Sequence, residues 1–218
     1  GLMRFFKTGP GQYGYGDLFL GIKVPVTRSV VKECWKDVGF AELEECVTSK
    51  YHEVRLAALL TLVEIFGHNK KNAALQKQCV DFYLSHTDYI NNWDLVDLSA
   101  PYILGVYLLD KNDRQVLYRL AESAVMWEQR VAIVSTLMLI RNGQFADTIK
   151  LAECFLNTKH DLMQKATGWM LREVGKRDEA LLVSFLEQHK KVMPRTMLRY
   201  AIEKFSPDQR RYFMGKYK

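Results

Sequence analysis

The chain has 218 residues, 48% of them hydrophobic and 26% charged, with a formal net charge of +6 at pH 7. Such values suit one sizeable globular domain (residues 1–218) or a short repeat array with a continuous core, and they argue against general disorder. No apolar run approaches the roughly 18 residues that would span a bilayer, and the modest positive charge leans toward a polyanionic partner.

The opening stretch "GLMRFFKTGPGQYGYGD" has neither the apolar core nor the cleavage site of a secretion signal. Within it, "LMRFFKTG" reads as the end of a helix. "KTGPGQYGYGD" is glycine-rich but lacks the G-K-[ST] ending and the preceding strand of a phosphate-binding loop. From residue 25 onward nearly everything has helical period. "VTRSVVKECWKDV" and "FAELEECVTS" are short amphipathic candidates, and "HEVRLAALLTLVEIFG" is a strongly apolar helix ended by Gly67. There follow "AALQKQCVDFYLSH", "WDLVDLSAPYILGVYLL", "DRQVLYRLAESA", "EQRVAIVSTLMLIRNG", "FADTIKLAECFLN", "DLMQKATGWMLREVGK", "EALLVSFLEQHKK" and "PRTMLRYAIEKFS". No segment alternates with a period of two, so the fold class is all-α.

Strongly apolar helices with a polar first turn begin near His52, Trp93, Trp127, Asp161 and Pro194, at intervals of 41, 34, 34 and 33 residues. A two-helix unit of that period is the signature of a HEAT-like solenoid. The register supports it, because Glu53, Arg55 and Ala57 coincide with Glu128, Arg130 and Ala132. In a solenoid, equivalent first turns line up. Trp93, Asp97, Arg130, Lys165, Trp169, Arg195 and Arg199 are therefore expected on one concave, basic face suited to an extended polyanion.

The four cysteines are far apart and the five histidines show no ligand spacing, so neither a metal nor another cofactor is expected, and the compartment reads as reducing and cytoplasmic. Lys and Arg crowd the stretch from Lys159 to Lys218. Trp93 and Asp97 stand four apart, hence on one helix face. Helix capping by Asn92 or Asp94 accounts for part of this motif. It does not account for Asp97, a carboxylate past the cap and beside apolar residues, where it needs a partner or a purpose. Pro101 should distort the same helical run. Arg130 is the natural partner of Asp97 by repeat geometry, or else a residue within its own repeat, as Arg55 is in the other reading. Gly168, before Trp169, permits close approach of a backbone or ligand. Arg195 and Arg199 share a face behind Pro194, placed either to clamp phosphates or to face solvent.

Taken together, "FLGIKVP", "HEVR.AAL", "NNWDLVDLSAPYI", "R.AI", "KATGWMLREVGK" and "PRTMLRYAIEKF" resemble the AlkD-like DNA alkylation repair glycosylases, from about Phe5 to Phe205. The resemblance implies hydrolytic removal of N3- and N7-alkylated purines from duplex DNA. It implies a catalytic carboxylate at Asp97, an active-site tryptophan at Trp93, an arginine at Arg130 and a second aromatic at Trp169. Arg55, Lys165, Arg172, Arg195 and Arg199 are the expected DNA-binding residues. A monomer on double-stranded DNA is expected, with contact along backbone and sugar rather than base extrusion; a closed, purine-sized cavity beside Asp97 would count against that. A non-catalytic binder of distorted or branched DNA is the alternative, and a protein–protein scaffold the third reading.

Overall fold

The computed structural model describes residues 6–215, and the helix end expected in the opening segment falls partly outside them. The described residues form twelve α-helices and no strand beyond one isolated bridge, Leu18 to Tyr51. None of these helices is long and apolar enough to cross a membrane. The helix order is consistent with a helical-repeat solenoid, and the chain divides into two compact units, Gly1–Tyr107 and Leu108–Lys218.

The first unit is built around α3 (His52–His68), which is buried over most of its circumference. Its apolar residues Leu56, Leu59, Leu60, Leu62, Ile65 and Phe66 leave no wide solvated face, so α3 forms the core itself. Packed on it are α1 (Val24–Cys34), opened by Pro25 in its first turn, and α2 (Phe40–Val47). Next comes α4 (Ala73–Ser85), whose first turn is capped by Asn72 accepting from the Leu75 amide. Then α5 (Trp93–Asp97) begins at Asn92, which sits in extended backbone.

One long helix is expected from Trp93 to Leu109, and the structure breaks it. The run ends at Asp97, and Pro101–Gly105 forms a π-helical turn, closed by the Gly105 amide donating to Ala100 O at 3.0 Å. Pro101 has no amide hydrogen to continue the α ladder, and its ring crowds the preceding turn. Ser99 adds a side-chain bond to Leu95 O (2.5 Å) and is met by the Tyr83 hydroxyl at 3.0 Å. These polar contacts are buried, so the break is stabilised from inside the core.

The second unit contains α6 (Gln115–Ala121), α7 (Met126–Arg141), α8 (Ala146–Cys154), α9 (Asp161–Gly175), α10 (Glu179–His189), α11 (Arg195–Ala201) and α12 (Pro207–Met214). Its centre is α7 with α9, whose inward residues include Val131, Ile133, Val134, Leu137, Met163, Met170 and Leu171. Gly168 has a concrete reason: a Cβ there would stand 2.5 Å from Met197 O and 2.6 Å from Tyr200 Cβ. The close approach it permits is that of a backbone, α11 lying against α9. The last helix, α12, is absent from the sequence reading above. Its signal is there nonetheless, in the capping box of Ser206 and Gln209 with Pro207 at the first turn.

Candidate active site

In the first unit, the segment before α1 is fastened to the start of α3 by two buried charges. Glu53 accepts the backbone amides of Leu20 (2.9 Å), Gly21 (2.8 Å) and Ile22 (3.2 Å). Three successive amides converging on one carboxylate form an anion nest. Gly21 sits at φ 87°, where a side chain would be strained, which gives "FLGIKVP" its glycine. Arg55 donates to Asp17 (2.8 Å), Asn91 (2.9 Å) and Ser49 O (2.9 Å). Arg55 is only 4% exposed and both its terminal nitrogens are committed inside the fold, so it is withdrawn from the DNA-binding residues expected above.

His52 lies beside this network. Its Nε2 is 2.9 Å from Asp94 Oδ2, and its Nδ1 is 3.6 Å from Asp17 Oδ2. Burial opposes the imidazolium, but the carboxylates of Asp17 and Asp94 outweigh burial and the repulsion of Arg55, so the His52 pKa is raised. Burial likewise opposes the Asp17 carboxylate, yet His52, the Arg55 charge and Asn91 together hold its pKa below the ordinary aspartate value. Asp94 also accepts from the Leu95 amide at 2.9 Å, tying this cluster to the first turn of α5.

Rings cover the cluster. Phe6 stacks on Phe19 (centroids 5.0 Å apart) and on Trp93 (5.5 Å), and Phe19 stacks on His52 at 4.6 Å. Between these rings, α1 and α5 lies a half-open cavity of about 370 Å³, in the range of small-molecule sites. Its walls are almost wholly apolar, from Phe6, Phe19, Ile22, Leu56 and Leu98, with Trp93 and Asp97 on one side. Trp93 and Asp97 therefore share a wall, as their spacing implies. The cavity has room for a purine but lacks the enclosure of a closed base pocket.

In the second unit, Arg130 is 5% exposed and donates from Nη1 to Leu162 O at 2.6 Å. Lys165, Trp169 and Arg172 follow one stripe of α9 at helical spacing. Trp169 is half-buried, Lys165 pairs with Asp161 at 2.6 Å, and Arg172 pairs with Glu203. Arg195 and Arg199 are exposed on α11, and Arg195 reaches Met214 O at 2.5 Å. Among the described residues no group of three His, Cys, Asp or Glu side chains could hold a metal ion.

The polar network of Asp17, His52, Glu53, Asn91 and Asp94 goes unread in the sequence. Asp17 stands 74 residues from Asn91, and no local spacing relates them. Glu53 and His52 gave a weaker signal, as ionisable residues heading a helix that is otherwise apolar.

The class follows from the fold first. A solved structure from Enterococcus faecalis, described as a predicted DNA alkylation repair enzyme, superposes with a TM-score of 0.73 at 17% sequence identity, over 94% of this chain and 93% of that one. The likeness establishes a shared all-helical fold. Residues 1–205 match the family model for DNA alkylation repair enzymes, and the chain belongs to that family. No curated protein matches it.

Proposed function

We propose that the protein is a monofunctional DNA glycosylase that hydrolyses the N-glycosidic bond of cationic N3- or N7-alkylated purines in duplex DNA. The observation that carries this reading is the shared wall of Asp97 and Trp93 in the apolar cavity of the first unit, in a chain of the alkylation repair family.

An N3- or N7-alkylated purine already bears positive charge. As the bond from C1′ to the purine nitrogen breaks, its electron pair moves to the base, which leaves neutral without further protonation. Positive charge grows on the deoxyribose instead. The Asp97 carboxylate stabilises that charge and orients the water whose oxygen bonds to C1′, the water proton passing to solvent. The Trp93 indole face adds about 0.5–2 kcal/mol toward a nearby cation. In the same reading Trp169 supplies a second indole, and Arg130, buried and bonded to Leu162 O, braces the start of the helix that carries it. Lys165, Arg172, Arg195 and Arg199, all in the second unit, neutralise the backbone of the bound duplex, and the protein acts as a monomer.

The test is release of 7-methylguanine and 3-methyladenine from methylated duplex DNA by wild type and by Asp97→Asn. Release by wild type, lost in the variant while DNA binding persists, bears the reading out. A folded wild type that binds DNA steeply dependent on salt but releases no base is a DNA-binding protein without catalysis.

A further inference from the structure

His52 sits at the centre of the first unit, yet the proposed chemistry does not use it. Its two ring nitrogens face two different carboxylates, Asp94 at 2.9 Å and Asp17 at 3.6 Å. An ionised carboxylate only accepts, whereas a neutral imidazole has one N–H and one lone pair. A neutral ring would turn its lone pair against one of the two acids. Only the imidazolium presents a hydrogen to each. Nδ1 and Asp17 Oδ2 are both buried and make no other hydrogen bond, so each is the other's available partner.

Charge balance agrees. Asp17 and Asp94 face His52 and Arg55, all four buried. With His52 charged the group holds two negative and two positive charges, whereas a neutral His52 leaves an uncompensated buried carboxylate, which is strongly unfavourable. Of the other ionisable groups lining the cavity, Glu53, on the same helix, turns to the amides of Leu20 to Ile22, Asp97 stands on α5, and the cation Lys23 is exposed to solvent rather than buried with the acids. Phe6 and Phe19 cover the ring and exclude water.

We propose that His52, as an imidazolium clamped between Asp17 and Asp94, is a positioning residue that holds the first turn of α5, with Trp93 and Asp97, against the N-terminal segment. The connections run through side chains on the page. Asp94 caps the Leu95 amide within α5, and Asp17 bonds Asn91, two residues before Trp93. The cavity wall thereby depends on one proton. His52 has a raised pKa, so its contribution is complete below the ordinary histidine value of 6.5 and is lost as pH rises through the folded-state value. Asp17 has a lowered pKa, so its contribution is present above 3.8 and is lost as pH falls through its folded-state value. The clamp is intact between those limits. Its alkaline edge belongs to His52.

The experiment is a pH titration of ¹⁵N-histidine-labelled protein, with the His52 signals identified by their loss in His52→Gln. Both ring nitrogens of His52 are expected to carry hydrogen at pH 6.5, where a free imidazole is about half neutral, with the loss of one proton at a midpoint above 6.5; a midpoint at or below 6.5 overturns the proposal. The ¹⁹F signal of 5-fluorotryptophan at Trp93, assigned through Trp93→Phe, should move with the same midpoint and be displaced at every pH in His52→Gln. A Trp93 signal indifferent to His52 titration also overturns it. Should His52→Gln not fold, Asp17→Asn retains the ring and is expected to lower its midpoint; an unmoved midpoint refutes the clamp. The catalytic consequence rests on the glycosylase reading: single-turnover base release should fall roughly tenfold or more across the alkaline limb, and His52→Gln should lack that limb. A wild type without base release would sink the glycosylase reading alone, because both spectroscopic arms read the clamp without turnover.

Discussion

Helices α3 and α7, one from each unit, carry the same first-turn pattern, Glu-x-Arg-x-Ala, yet the two units use it differently. The arginines behave alike. Arg55 reaches forward 36 residues to Asn91, and Arg130 reaches forward 32 residues to Leu162 O. Each is a buried strut from one helix to the start of a later one within its own unit. The glutamates diverge. Glu53 is buried beneath three amides of the N-terminal segment, while Glu128 is half-exposed. The same first-turn pattern thus gives a similar reach in both helices, but the partner at the glutamate position depends on which segment passes nearby. The contrast extends to the units as wholes. The first concentrates acids and aromatic rings around a cavity, and the second carries exposed arginines on α11.

If that division separates chemistry from phosphate binding, the largest effect belongs to Asp97→Asn. Single-turnover base release should fall by about 10²–10³-fold, the loss typical for removal of a preorganised electrostatic group, with little change in DNA affinity. A parallel loss of affinity would erase the division. Next comes the glutamate pair. Glu53→Ala leaves three amides without their acceptor and should cost about 3 kcal/mol in urea denaturation. Glu128→Ala, at a half-exposed position, should cost less, and equal costs would make the two positions equivalent after all. Gly168→Ala forces a Cβ against Met197 O and should lower stability by about 1–3 kcal/mol, read as a lower denaturation midpoint. The smallest effect is Arg199→Gln, expected to weaken DNA binding equally for all sequences and to reduce the salt slope by about one. An unchanged slope would remove Arg199 from the phosphate contacts.

Much of this was readable from periodicity. The apolar helices α3, α7 and α9 and the pairing of Trp93 with Asp97 follow from local spacing, which a helix converts directly into shared faces. The distortion at Pro101 was expected, but its form was not, since the π-helical turn depends on Ser99, Tyr83 and the packing around them. Arg55 shows the opposite limit. It stands among the expected DNA-binding residues, whereas Asp17, distant in sequence, draws it inside. The glycine-rich stretch from Lys7 to Asp17 likewise gives only a negative reading by pattern. Its turns deliver Asp17 to His52 and Arg55, a role that exists only once the chain has closed.

The Glu53 nest has a consequence for hydrogen exchange. The amides of Leu20, Gly21 and Ile22 lie outside any helix, and a side chain rather than a ladder shields them. Departure of that one carboxylate exposes all three together. They should therefore exchange at a common opening free energy, giving a three-proton gauge of how firmly the N-terminal segment stays docked on α3.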